Sequence, residues 1–120
     1  FAALSSNLEL VKHLVNRGAD VNARDEDGKT AFMFASRLGN VDVMRLLMDH
    51  GTDVNIRDKD GKTALMAAAA KGDLEAVRFL LDSGADVHAE AENGNTALQL
   101  AEEEDNEEII RLLKSRGAEE

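Results

Sequence analysis

Two short segments carry the residue types of a calcium loop. Asp25-x-Asp27-Gly28 and Asp58-x-Asp60-Gly61 place carboxylates just ahead of a glycine, as the middle of a twelve-residue calcium loop does. With each glycine at the sixth loop position, Ala23 or Ile56 falls at the first and Phe34 or Ala67 at the twelfth. Neither end then has an anchoring carboxylate, so both segments read as turns shaped by Asp and Gly. His13, His50 and His88 share no ligand spacing such as i, i+4, and no partners converge on them in the sequence. The run Glu102-Glu103-Glu104-Asp105 followed by Glu107-Glu108 supplies many carboxylates. Acid–base catalysis needs them desolvated or opposed across a cleft, whereas a consecutive run is a solvated surface. Cysteine is absent, and no serine has a base at a motif spacing. The expected catalytic residues, metal ligands and cofactors are therefore none.

The balance of charge excludes further classes. The 120 residues include 14 basic and 24 acidic side chains, a net of -10. General binding to nucleic acid or to an anionic membrane wants the opposite field. No apolar run approaches the ~20 residues of a membrane span. With 43% hydrophobic and 32% charged residues the chain should fold. A cytoplasmic location is the expectation, although a chain without cysteine suits an oxidising compartment as well.

The elements that must carry these residues follow from an internal repeat. Gly18, Gly51, Gly84 and Gly117 recur every 33 residues. Gly28, Gly61 and Gly94 recur at the same spacing, each followed two residues later by Thr30, Thr63 or Thr96. Asp20-Val21-Asn22, Asp53-Val54-Asn55 and Asp86-Val87-His88 repeat in register. One domain is expected, divided into a partial unit at 1–24, units at 25–57 and 58–90, and a capping unit at 91–120.

Each unit holds two helical patterns. Thr30, Thr63 and Thr96 are N-cap types ahead of Ala-rich stretches of high helix propensity. Gly39 and Gly72 interrupt those stretches, and Asn7, Asn40, Asp73 and Asn106 can cap a second helix. Glu9, Asp42, Glu75 and Glu108 then lie in a first turn, where the helix dipole favours acids. Lys12, Arg45, Arg78 and Arg111 follow three residues later, which puts each pair on one face. Gly18, Gly51, Gly84 and Gly117 stand where a helix should stop. His50 precedes such a stop, and His88 takes the place of Asn22 and Asn55, where it is expected to make a local hydrogen bond. Asp27-Gly28 and Asp60-Gly61 are hairpin signals between units. A helix pair of ~33 residues cannot bury its own apolar face, so it must stack on its neighbours.

Asp25-x-x-Gly28-x-Thr30-Ala31-Phe32-x-x-Ala35, then Gly39, Leu46-Leu47 and Gly51-Thr52-Asp53-Val54-Asn55, resembles an ankyrin repeat. The other units match too, so the resemblance covers essentially the whole chain. It implies an all-α solenoid of stacked antiparallel helix pairs with β-hairpin fingers between repeats. The chain departs from the family's Thr-Pro-Leu-His, having Thr-Ala-Phe-Met, Thr-Ala-Leu-Met and Thr-Ala-Leu-Gln. Alanine gives up the pre-set backbone of proline, worth ~0.4–1 kcal/mol at a compatible site. Met33, Met66 and Gln99 forgo the family's Thr–His hydrogen bond, while Thr96 and Gln99 can form a capping box. Phe1 aligns with Phe34, so the chain is expected to begin inside a repeat. Val41, Met48 and Ser36 become Glu107, Lys114 and Glu102 in the last unit, the polar outer face of a terminal repeat.

The resemblance further implies binding through the finger tips and the exposed face of the first helices. The corresponding residues are Arg24, Glu26, Asp27, Lys29, Arg37 and Leu38 in one unit and Arg57, Lys59, Asp60, Lys62, Ala70 and Lys71 in the next. Met33 and Met66 join their basic residues and Leu38 as the expected partner-binding set. The last unit offers Glu90, Glu92, Asn93, Asn95, Glu103 and Glu104 instead. An acidic chain thus has a locally basic strip, with Leu38 an unexpected apolar side chain within it. Phe34 is expected to pack between units. The function implied is a non-catalytic module, monomeric, that binds another protein with an acidic or mixed-charge surface, as a scaffold, adaptor or inhibitor. Two other readings stand beside it. One is a sensor for a phosphorylated small molecule or nucleotide, against which the absence of Tyr and Trp weighs. The other is an engineered binder, against which the alanine-for-proline replacements weigh.

Overall fold

The computed structural model describes residue 17 and residues 21–117. The expectations for residues 1–16 and 18–20 lie outside the described residues, among them Asn7 as a cap, Gly18 as a helix stop and the place of His13. Six helices follow one another among the described residues: α1 (Ala31–Leu38), α2 (Val41–Asp49), α3 (Ala64–Lys71), α4 (Leu74–Asp82), α5 (Ala97–Glu103) and α6 (Glu107–Ser115).

Every helix starts on a side-chain cap. Thr30, Thr63 and Thr96 accept from the backbone N–H of Met33, Met66 and Gln99 at 3.3, 3.4 and 3.3 Å. Asn40, Asp73 and Asn106 accept from Val43, Ala76 and Ile109 at 3.2, 3.1 and 3.2 Å. Each such cap contributes about 1 kcal/mol. In α5 the Gln99 side chain returns a bond to the Thr96 N–H at 2.9 Å, completing the expected capping box. Only two or three residues separate the paired helices, which forces them back alongside each other. Gly39 and Gly72 make that reversal at φ of 72° and 77°. Asp105 does so in the third pair at φ 56°.

The first helices stack α1 on α3 on α5, and the second helices stack α2 on α4 on α6 less closely. The residue types account for the difference. Ala35, Ala68 and Ala101 are fully buried at one repeat position, and small side chains let the first helices approach. Met44, Leu47, Val77, Leu80, Ile109 and Leu113 fill the second layer and hold it wider. Closer spacing on one side curves the stack towards its first helices. A continuous core of Phe32, Leu65 and Leu98 with these residues joins the pairs.

The fingers are tight turns; no strand occurs among the described residues. In the first, the Asp25 N–H donates to Lys29 and the Gly28 N–H to Asp25, each at 2.9 Å. Neighbouring fingers share one backbone bond, from Lys59 to Asp27 at 2.8 Å and from Glu92 to Asp60 at 2.9 Å. A single bond per interface is too little for a ladder, which is why the expected hairpins do not become sheet.

Charge pairing follows the expected faces in part. Arg45 lies 3.8 Å from Asp42, whereas Arg111 pairs with Glu107 at 3.4 Å instead of Glu108. The acid at 107 stands where Val41 and Leu74 stand in earlier pairs, so a nearer partner exists only there. Glu107 and Lys114 are exposed and Glu102 half-buried; at the corresponding places of the earlier units Ser36, Ala69 and Leu81 are buried and Val41, Met48 and Leu74 half-buried.

Candidate binding groove

The curved side of the stack carries a trough of about 440 Å³. Its sides are set by α1, α3 and the start of the Asp58 finger, with Leu100 of α5 closing one end. Four cations line it: Lys29, Arg37, Lys62 and Lys71. Phe34, Ala67, Ala70 and Leu100 supply the apolar lining. Asp58 is the one acid in that lining, and it is 9% exposed. Asp58 Oδ1 accepts from the Asp60 and Lys62 N–H groups, both at 2.9 Å. Among the described residues, none of the four cations forms an ion pair with a carboxylate within 4.0 Å. The Lys29 ammonium instead stands 6.0 Å from the centroid of the Phe34 ring, at the edge of cation–π range.

The ten residues expected at the binding surface separate into groups. Lys29, Arg37, Lys62 and Lys71 converge on the trough. Met33 and Met66 line it from beneath, but at 7% and 1% exposure they are core. Stacking of the first helices covers both, so neither is an exposed contact residue. Leu38 is 52% exposed at the end of α1 and lies outside the trough. Lys59 is exposed on a finger, also outside it.

Arg24 and Arg57 have a structural role. Arg24 Nε donates to the Gly28 carbonyl at 3.1 Å, and its Nη2 donates to the carbonyl of Arg57. Arg57 Nε donates to Gly61 at 3.2 Å, and its Nη2 to the carbonyl of Glu90. Each guanidinium closes its own finger and clips the next repeat. A charge reversal at Arg57 therefore acts on the fold as well as on the surface. Lys62 and Lys71 are the positions that test charge alone. Asn22 and Asn55 make a parallel link on the other layer: their side-chain amides donate to Gly51 and Gly84 at 3.2 and 3.3 Å. Their Oδ1 atoms accept from Asp53 and Asp86 at 3.0 and 2.8 Å.

Phe34, Ala67 and Leu100 line the trough although sequence reading placed no contact there. The available signal was the change of size at one repeat position, Phe34 to Ala67 to Leu100. No group of three or more His, Asp or Glu able to hold a metal ion occurs among the described residues. No helix among them is long and apolar enough to cross a membrane.

A family model for ankyrin repeats in three copies matches residues 1–91, and a single ankyrin repeat model matches residues 93–119. No curated protein matches the chain.

Proposed function

The chain belongs to the ankyrin repeat family, whose repeats are generally non-catalytic protein-interaction modules, and from that premise we propose that it binds another protein through the trough. The partner presents an acidic or mixed-charge surface, and the chain acts as a scaffold, adaptor or inhibitor. The observation that carries this reading is the convergence of Lys29, Arg37, Lys62 and Lys71 in a chain of net charge -10. Four cations without carboxylate partners on one concave face repel one another unless something anionic covers them. Such complementarity steers encounter and fixes register more than it adds raw affinity. The division into units at 1–24, 25–57, 58–90 and 91–120 belongs to the same proposal.

The test is affinity capture from the source cell's lysate with three forms of the chain. One is the parent, one carries Lys62→Glu and Lys71→Glu, and one carries Arg78→Glu and Arg111→Glu on the exposed second helices. The last pair makes the same change in net charge away from the trough. A protein retained by the parent and by the second-helix variant, but lost from the trough variant, supports the reading. Equal retention by all three, or equal loss from both variants, removes the trough as the binding face.

A further inference from the structure

Resting on that reading of the trough, we infer that it contains a socket for one bulky apolar side chain, carried by an acidic segment of the partner. The socket is made by Ala67 and Ala70. At one repeat position the three first helices carry Phe34, Ala67 and Leu100; three residues on they carry Arg37, Ala70 and Glu103. Since α3 is sandwiched between α1 and α5, the middle helix sets two methyl groups between larger neighbours. Phe34 and Leu100 become walls and Ala67 and Ala70 the floor, and all four line the trough. A uniform run of Phe or Leu would have filled this volume.

The surroundings define the occupant. Arg37, Lys62 and Lys71 are exposed at the rim, and Lys29 stands by the Phe34 wall. Asp58 is only 9% exposed, with Oδ1 held by two backbone N–H groups of its own finger, and the four cations of the lining outnumber it. An apolar side chain alone would leave the cations uncompensated, and carboxylates alone would leave the apolar floor wet. A segment with acids on both sides of one large apolar residue satisfies both demands. A buried anchor ringed by polar contacts is also how binding energy concentrates at interfaces.

A synthetic peptide with one central tryptophan, flanked on each side by two glutamates, is the probe. The chain has no Trp and no Tyr, so tryptophan emission reports the peptide alone. Titration of the full chain is expected to give a saturable blue shift. Ala67→Phe, which restores the side chain found at 34, weakens it about tenfold or more. Ala70→Leu, at an exposed position, does the same and serves if Ala67→Phe disturbs folding. Neither substitution alters charge. A peptide with lysines for glutamates gives no shift. Binding by both filled variants with the parent's affinity, no binding by the parent, or equal binding of the lysine peptide overturns the socket. So does displacement by inorganic phosphate at matched ionic strength, which would assign the cations to a free anion. The Lys62→Glu, Lys71→Glu variant separates the two readings. Loss on charge reversal with retention in the filled variants sinks the socket and leaves the trough, whereas retention in every variant sinks both.

Discussion

The Arg57 guanidinium donates to the carbonyl of Glu90, 33 residues further along the chain. Arg24 makes the same link to the carbonyl of Arg57. The repeat period is thus written directly into a hydrogen bond, and the finger stack depends on side chains whose charge alone would have marked them as surface. Lysine cannot replace this geometry, since one guanidinium serves two carbonyls at once. Arg57→Lys and Arg57→Ala are expected to lower stability by about 1.5–3 kcal/mol, the range for hydrogen bonds to a charged group. Lys62→Ala should stay within about 0.5 kcal/mol, as surface changes do. Urea unfolding measures both; equal effects would refute the staple.

Gly39 gives a second contrast. A Cβ there would lie 1.8 Å from Asp73 Oδ2, the carboxylate that caps α4, and φ is 72°. Gly39→Ala is expected to combine left-handed strain of roughly 1–2 kcal/mol with a disturbed cap of about 1 kcal/mol. Gly51→Ala meets the same kind of backbone, but nothing lies within 4 Å of its Cβ, so only the strain applies. The measured order should be Gly39→Ala worse than Gly51→Ala, and the reverse order would show that Asp73 yields freely.

Asp105 completes that comparison. It holds φ 56° where the earlier pairs have glycine. Asp105→Gly relieves left-handed strain of roughly 1 kcal/mol, less the added freedom of the unfolded chain. A small rise in thermal midpoint is expected, and a clear fall would mean that the aspartate side chain stabilises this turn.

Thr52 holds the one buried side-chain oxygen without a hydrogen-bond partner among the described residues. The residue is 6% exposed, and Ala85 fills the equivalent place one repeat on. An unsatisfied buried hydroxyl costs about 1–3 kcal/mol. Thr52→Val keeps the shape and removes the orphan, so it should stabilise by about 1 kcal/mol, read from the urea midpoint at unchanged slope. Destabilisation would show that the hydroxyl has a partner after all.

Glu107 and Lys114 are exposed at positions that hold Leu74 and Leu81 one repeat earlier. Replacing both by leucine should create an apolar end that self-associates. Sedimentation that shows an unchanged monomer would remove the assignment of these positions to an outer face.

Period, residue order and helix architecture were all present in the sequence, because each is a local property repeated. A threonine cap bonds three residues away, Gly39 and Gly72 reverse the chain over two residues, and an apolar stripe at helical spacing has only its neighbour to pack on. The cap types at Thr30, Thr63, Thr96, Asn40, Asp73 and Asn106 needed no tertiary knowledge. Tertiary structure decided which surface residues are surface. Arg57 and Lys62 are both basic residues within four positions of the finger glycine Gly61. Only stacking brings the Glu90 carbonyl within reach of one and leaves the other at the trough. Met66 and Ala67 are adjacent in α3 and both border the groove, yet helix packing buries the first and leaves the second half-buried at its surface. Nor does strand pairing follow from Asp-Gly turns, because it depends on how far neighbouring fingers run alongside each other. Those outcomes depend on distances between repeats, set by the alanines of the first helices and the larger side chains of the second.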